Sequence, residues 1–162
     1  MKKIVYTAPD GSVRVIVPAP EMFNPKSKTR SLLPKLATAS EDEILAWIVA
    51  KDVPAGVEYH FVEDSDLPSR EFRNAWKIDG GKIGHDMDKC RAIWKDKMRE
   101  ARAPKLAALD LEYQRADEAD DKAKKREVAA RKQALRDVTA DTRIVSAKTP
   151  EELKAVWPET LK

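Results

Sequence analysis

Residues 86–137 read DMDKCRAIWKDKMREARAPKLAALDLEYQRADEADDKAKKREVAARKQALRD. This stretch holds 15 Lys/Arg and 12 Asp/Glu, no Gly and a single Pro, Pro104. So many charges, so few breakers and a thin apolar stripe predict long, solvated helix. Asp86 is placed to cap its start, with Asp88 complementing the helix dipole. Met87, Cys90, Trp94 and Ala101 recur at helical spacing, flanked by Ile93 and Met98. Pro104 is expected to end or kink the run, because its ring meets the carbonyl four residues back. Leu106, Leu109, Tyr113 and Ala116 then follow an a/d pattern, a coiled-coil seam of about two heptads. The seam weakens at Asp120-Asp121 and resumes out of phase as Ala123, Val128, Ala130, Leu135 and Val138. Two readings stand: a helical hairpin turning near Asp120, or one continuous helix with a stutter. The spacing of Glu118–Lys122, Asp120–Lys124 and Asp121–Lys125 favours continuity. The small alanines favour two helices approaching closely.

Upstream, Lys2–Ala8 and Ser12–Val17 are rich in β-branched residues and flank Pro9-Asp10-Gly11, which predicts a hairpin. Val13, Val15 and Val17 alternate onto one face, as Ile4 and Tyr6 do on the partner strand. Residues 18–34 carry Pro18, Pro20, Pro25 and Pro34 and read as a long loop; its Lys26/Lys28/Arg30 patch reads first as solvated surface, with contact to an acidic partner as the alternative. Ser40 and Glu43 form a capping box ahead of a helix whose apolar face is Ile44, Leu45, Trp47 and Ile48. Val57–Glu63 reads as a strand. Phe72–Ile78 reads as another, turning at Asp79-Gly80-Gly81 into a short return strand at Lys82–His85. Trp47, Trp76 and Phe61 are the expected core anchors. Downstream of the long helices, Thr149-Pro150-Glu151-Glu152 is a helix start, with Leu153, Val156 and Trp157 as its apolar face.

The expected fold is α+β: a small ββαβ-type domain over residues 1–85, a helical hairpin or coiled coil over 86–138, and a C-terminal capping helix region over 139–162. The 162 residues are 42% hydrophobic and 36% charged, with a net charge of +3. Interspersed signs argue against a nucleic-acid polycation. The one cysteine, Cys90, excludes an intrachain disulfide. The start MKKIVYTAPDG lacks a signal-like apolar run, and no stretch is apolar for the ~18 residues of a membrane span. A soluble, intracellularly made protein is expected.

No catalytic, cofactor or metal site is legible. His85, Asp86, Asp88 and Cys90 lack the paired spacing of a zinc site. Glu63, Asp64 and Asp66 lack a calcium-loop frame. His60 has no nucleophile near it in sequence, and Asp79-Gly80-Gly81-Lys82 lacks the phosphate-loop pattern. The run Lys122-Lys124-Lys125-Arg126 has no aromatic to stack on a base, so it reads as a solvated face.

The C-terminal pattern Arg131-Lys132-Gln133-Ala134-Leu135-Arg136-Asp137-Val138-Thr139, then Thr149-Pro150-Glu151-Glu152-Leu153 and Trp157-Pro158, resembles the tails of phage tail-assembly-chaperone and tail-fibre-assembly proteins. This specific match covers about a fifth of the chain. Phe72-Arg73-Asn74-Ala75-Trp76 and the helix beginning Asp86-Met87 look like uncharacterised phage and prophage proteins with the same tail. The chain departs from the pattern by an inserted connector and capped helix before Trp157-Pro158. The resemblance implies a non-enzymatic phage protein without cofactor, acting in tail or tail-fibre assembly in the host cytoplasm. The alternative is a permanent virion tail component oligomerised through the same helices. A tail or tail-fibre protein is the expected partner, together with further copies of the chain, and neither nucleic acid nor membrane. Leu106, Leu109, Tyr113, Leu135 and Trp157 are the expected partner-binding residues.

Overall fold

The computed structural model describes residues 1–162, which form two compact units, Met1–His85 and Asp86–Lys162. Residues 139–162 fall within the second unit.

In the first unit, β1 (Lys3–Thr7) is the central strand of an antiparallel sheet ordered β2-β1-β3, with β2 spanning Val13–Ile16 and β3 spanning Tyr59–Val62. The β1–β2 turn closes where the Gly11 N–H donates to the Ala8 carbonyl and the Ala8 N–H to the Ser12 carbonyl, both at 2.8 Å. Gly11 takes φ +76°, and Asp10 accepts from the Ser12 N–H and hydroxyl. Those two Ser12 bonds, the hydroxyl first, hold the Asp10 carboxyl below its ordinary range.

Both faces of this sheet are covered. Ile4, Tyr6 and Ile16 pack on α2 (Glu41–Asp52) through Ile44, Leu45 and Ile48, with Leu36 completing that core. Val5, Val13 and Val62 lie buried on the opposite face, and β4 (Trp76–Asp79) lies against β1 and β2. The register pairs Val5 with Val15, so the β2 valines oppose Val5 and not Ile4 or Tyr6. Alternation within each strand was legible; the cover on the second face came from residues 64–85, far along the chain.

Two expectations for this unit's core and strands change. Phe61 is no core anchor: it is 45% exposed at the sheet edge, in edge-to-face contact with Tyr59 at 5.6 Å. Phe72, 1% exposed, takes the anchoring role beside Trp76. Arg70–Ala75 is 3-10 helix and only Trp76–Asp79 is strand, paired with β5 (Lys82–His85). The tight Gly80-Gly81 turn has φ +54° and +79°, the mirror-type turn that suits strand twist. A Cβ on Gly81 would stand 3.3 Å from His60 Nδ1, which adds a packing reason for glycine there.

The long loop is knotted into short turns, among them α1 (Lys28–Ser31), capped by Ser27. Arg30 is 6% exposed, so it offers nothing to an acidic partner. Its Nε donates to the Leu36 carbonyl at 2.9 Å and its Nη1 to Phe23 O at 3.4 Å, while Nη2 donates to Ala39 O. One guanidinium thus satisfies three loop carbonyls, the service that regular structure performs elsewhere.

In the second unit, α3 (Met87–Glu118) runs unbroken for 32 residues, straight through Pro104. Asp86 caps it, accepting from the Asp88 and Lys89 N–H groups. Its partner α4 (Lys122–Asp137) packs antiparallel on its C-terminal half. Between them the chain reverses without glycine or proline. Asp120 adopts φ +51°; its N–H donates to Asp117 O at 3.0 Å and the Asp121 N–H to Ala116 O at 2.8 Å. That pair of bonds is a Schellman closure, with aspartate in the left-handed position glycine normally fills. The Asp121 side chain then accepts from Lys124 N–H as the N-cap of α4. The hairpin is therefore the fold, and the same-helix acid–base pairs that argued for continuity do not form across the turn.

The remaining chain folds back along α3 as α5 (Thr142–Ser146) and α6 (Pro150–Lys154). Ile144 and Leu153 are fully buried, and Trp157 meets Trp94 edge-to-face at 5.1 Å. Thr149 caps α6 as expected, but Glu152 reaches past it to the Lys148 N–H at 2.7 Å. No helix is long and apolar enough to cross a membrane.

Candidate partner groove on the helical hairpin

The hairpin is built on a seam of one apolar residue every second turn. Leu109 and Ala116 on α3, and Val128 and Leu135 on α4, are each at most 5% exposed. This stripe, expected to receive a partner helix, is consumed within the chain. Around it lies a set of cross-helix ion pairs. Lys125 pairs with Asp117 and Lys132 with Asp110, while Arg131 meets Glu112 at 2.9 Å. Tyr113 sits among these charges, its ring 5.7 Å from the Lys125 ammonium and 5.3 Å from that of Lys132. The Asp117 hydrogen bond holds the Lys125 ammonium above its usual range. Arg102 closes the far end by donating to the Arg136 carbonyl at 2.7 Å and the Leu135 carbonyl at 3.3 Å, two of the orphan groups at the α4 C-terminus.

Of the five expected partner-binding residues, the structure brings two together. Leu109 and Leu135 form the floor of an open groove of about 380 Å³ between α3 and α4. The exposed alanines Ala108 and Ala134 form its shoulders, and Thr160 approaches from the C-terminal segment. Lys105, donating to the Lys162 carbonyl at 2.6 Å, lies along it. Leu106 is half-buried, Tyr113 belongs to the ion-pair zone, and Trp157 is spent on Trp94. Sequence reasoning missed Ala108 and Ala134, whose only signal is being small where two helices face each other.

The candidates for chemistry are occupied structurally. Asp88 holds Arg91 at 2.7 Å, and Cys90 is fully buried. Burial first, then the Asp86 carboxylate, pushes the Cys90 thiol up, away from the reactive thiolate. Glu63 and Asp66 cap one another's turn, and Asp64 pairs with Lys3. The basic run of α4 has Lys124 on Glu127 and Lys125 on Asp117. No protein family, curated protein or solved structure matches this chain.

Proposed function

We propose that this chain is a non-enzymatic bacteriophage protein that acts in tail or tail-fibre assembly, binding a tail protein through its helical unit in the host cytoplasm. The observation carrying the reading is a coincidence of place. The stretch Arg131–Thr139, which carries the resemblance to tail-assembly chaperones, supplies Arg131, Ala134 and Leu135 to one wall of the α3–α4 groove. An apolar floor between small shoulders and a charged rim suits an apolar anchor side chain from a partner helix or strand.

Co-expression with the tail proteins of the parent phage tests the reading. One of them is expected to co-purify with this chain. Ala134→Trp, which fills the groove from an exposed position, abolishes that capture while leaving helicity intact. Stoichiometric copies of the chain in purified mature particles would refute a chaperone and favour a permanent tail component.

A further inference from the structure

The first unit carries a second cleft, of about 360 Å³, between the covered face of the sheet and the segment that follows β3. Its apolar walls are Val15, Val17, Leu67 and Pro68. Val17, one residue past β2, is 55% exposed. Arg70 and Arg73 line the same cleft, and neither pairs with a carboxylate. Arg73 stacks 5.9 Å from the Trp76 ring centroid, and Arg70 is exposed. The one acid in the lining, Asp64, is already neutralised by Lys3. Trp76 is 3% exposed, and its indole N–H meets no acceptor in the fold. The cleft therefore holds uncompensated positive charge beside apolar walls.

The strand beside it is open. β2 pairs with β1 on one side and with nothing on the other. The turn makes Ala8 and Ser12 a hydrogen-bonded pair. Alternation along an antiparallel ladder then makes Tyr6–Arg14 and Ile4–Ile16 bonded pairs, and Thr7–Val13 and Val5–Val15 non-bonded ones. Val13 and Val15, and Val17 by continuation, direct their backbone N–H and C=O outward. Beyond the β1 ladder, no backbone hydrogen bond reaches residues 13–17. A strand added at this edge would place the side chains opposite Val15 and Val17 on the face those valines share, over the cleft.

We infer that this cleft and the β2 edge dock an extended acidic segment of a partner protein, added as a fourth strand with carboxylates opposite Val15 and Val17 meeting Arg70 and Arg73. Bidentate pairing with guanidinium supplies register, and the ladder supplies affinity. A nucleic acid fits less well: the walls are aliphatic, Trp76 offers no open ring face for stacking, and only three cations line the cleft. This inference does not rest on the helical groove, which lies in the other unit.

The test is an amide and indole NMR titration of the full chain. The probe is a capped six-residue peptide of alternating glutamate and valine. The expected result is saturable shifts at the Val15 and Val17 amides and the Trp76 indole. Arg70→Glu, at an exposed position without a partner, weakens binding about tenfold. Val15→Pro removes one outward donor while sparing the β1 ladder, and it also weakens binding. The inference is overturned if Arg70→Glu leaves affinity unchanged, if the shifts cluster elsewhere, or if a control peptide of alternating lysine and valine binds as well. Inorganic phosphate binding as tightly as the peptide would make this a small-anion site. Tighter binding by a thymidine oligonucleotide would make it a nucleic-acid site. Either outcome overturns the peptide reading.

Discussion

Replacing Arg30 by methionine isolates what one buried guanidinium does. Methionine keeps much of the aliphatic stem and removes every donor. Two of the three bonds, to Leu36 O at 2.9 Å and to Ala39 O, are close contacts; the one to Phe23 O at 3.4 Å is weak. Net hydrogen bonds from a charged donor are worth roughly 1.5 kcal/mol or more each. The partly buried carbonyls left behind lose a partner that water replaces only in part. Allowing about 0.5 kcal/mol for the weak bond, the change costs the first unit about 3.5 kcal/mol. Native-state hydrogen exchange at the β1 and α2 amides reads this directly, because exchange through unit-wide opening should accelerate by roughly a few hundredfold. Arg30→Lys, which brings one ammonium to one or two carbonyls, should fall between. Acceleration below about fivefold in the methionine variant, a cost under about 1 kcal/mol, would refute the account. The loop would then be held by Leu36 and its other apolar contacts, with the arginine incidental.

Other consequences follow from the helical unit. Asp120→Gly removes the side chain from a left-handed position and should stabilise the hairpin by about 0.5–1 kcal/mol in urea unfolding, whereas Asp120→Val should destabilise it. Unchanged midpoints for both would mean Asp120 is not held left-handed in solution. Pro104→Ala restores an intrahelical donor at an exposed site of α3 and should raise stability by about 2 kcal/mol, read as a higher midpoint without loss of far-UV helicity. Lys125 is held above its ordinary value by Asp117, so its contribution is complete below pH ~10.4 and lost as pH rises through the higher folded value. Lys125→Gln should flatten that alkaline decline in melting temperature; an identical decline would place its cause elsewhere. In acid the sign reverses: Asp10, Asp64, Asp141 and Glu43 are held low by hydrogen bonds and neighbouring cations, so stability present above pH ~4.5 falls as they protonate. A flat midpoint from pH 5 down to about 2 would refute this.

Features that close within a few residues were legible. The Ser40–Glu43 box, the Asp86 cap, the Thr149-Pro150 start and the Gly80-Gly81 turn each carry their own donors, acceptors or backbone freedom in a short window. The α+β order of elements followed from them. Features set by distant partners were not legible. Whether Phe61 or Phe72 entered the core depended on which strand ended at the sheet edge. Arg30 looked like surface charge because its three acceptors sit in a loop with no periodicity. Pro104 was expected to end or kink α3, yet the helix does not end there: α4 and the C-terminal segment pack along it and outweigh the missing bond. The candidate site was half legible for the same reason. Leu109 and Leu135 were found by their spacing, but their apolarity implied contact without saying with what. The alanines that open the groove have no distinguishing chemistry.

The sheet order carries a consequence for synthesis. β1 is the middle strand, yet its second neighbour, β3, lies about 50 residues further along. At 5–20 residues per second, the β1–β2 hairpin waits roughly 3–10 s on the ribosome before β3 can cover its other edge. Until then Lys3 and Val5 direct their backbone N–H and C=O to an open edge of the hairpin, and the helix that will bury Ile4 is still arriving. The first unit is therefore most vulnerable to strand capture by neighbouring chains while it is being made, and slower translation of residues 17–58 should lower the yield of folded protein.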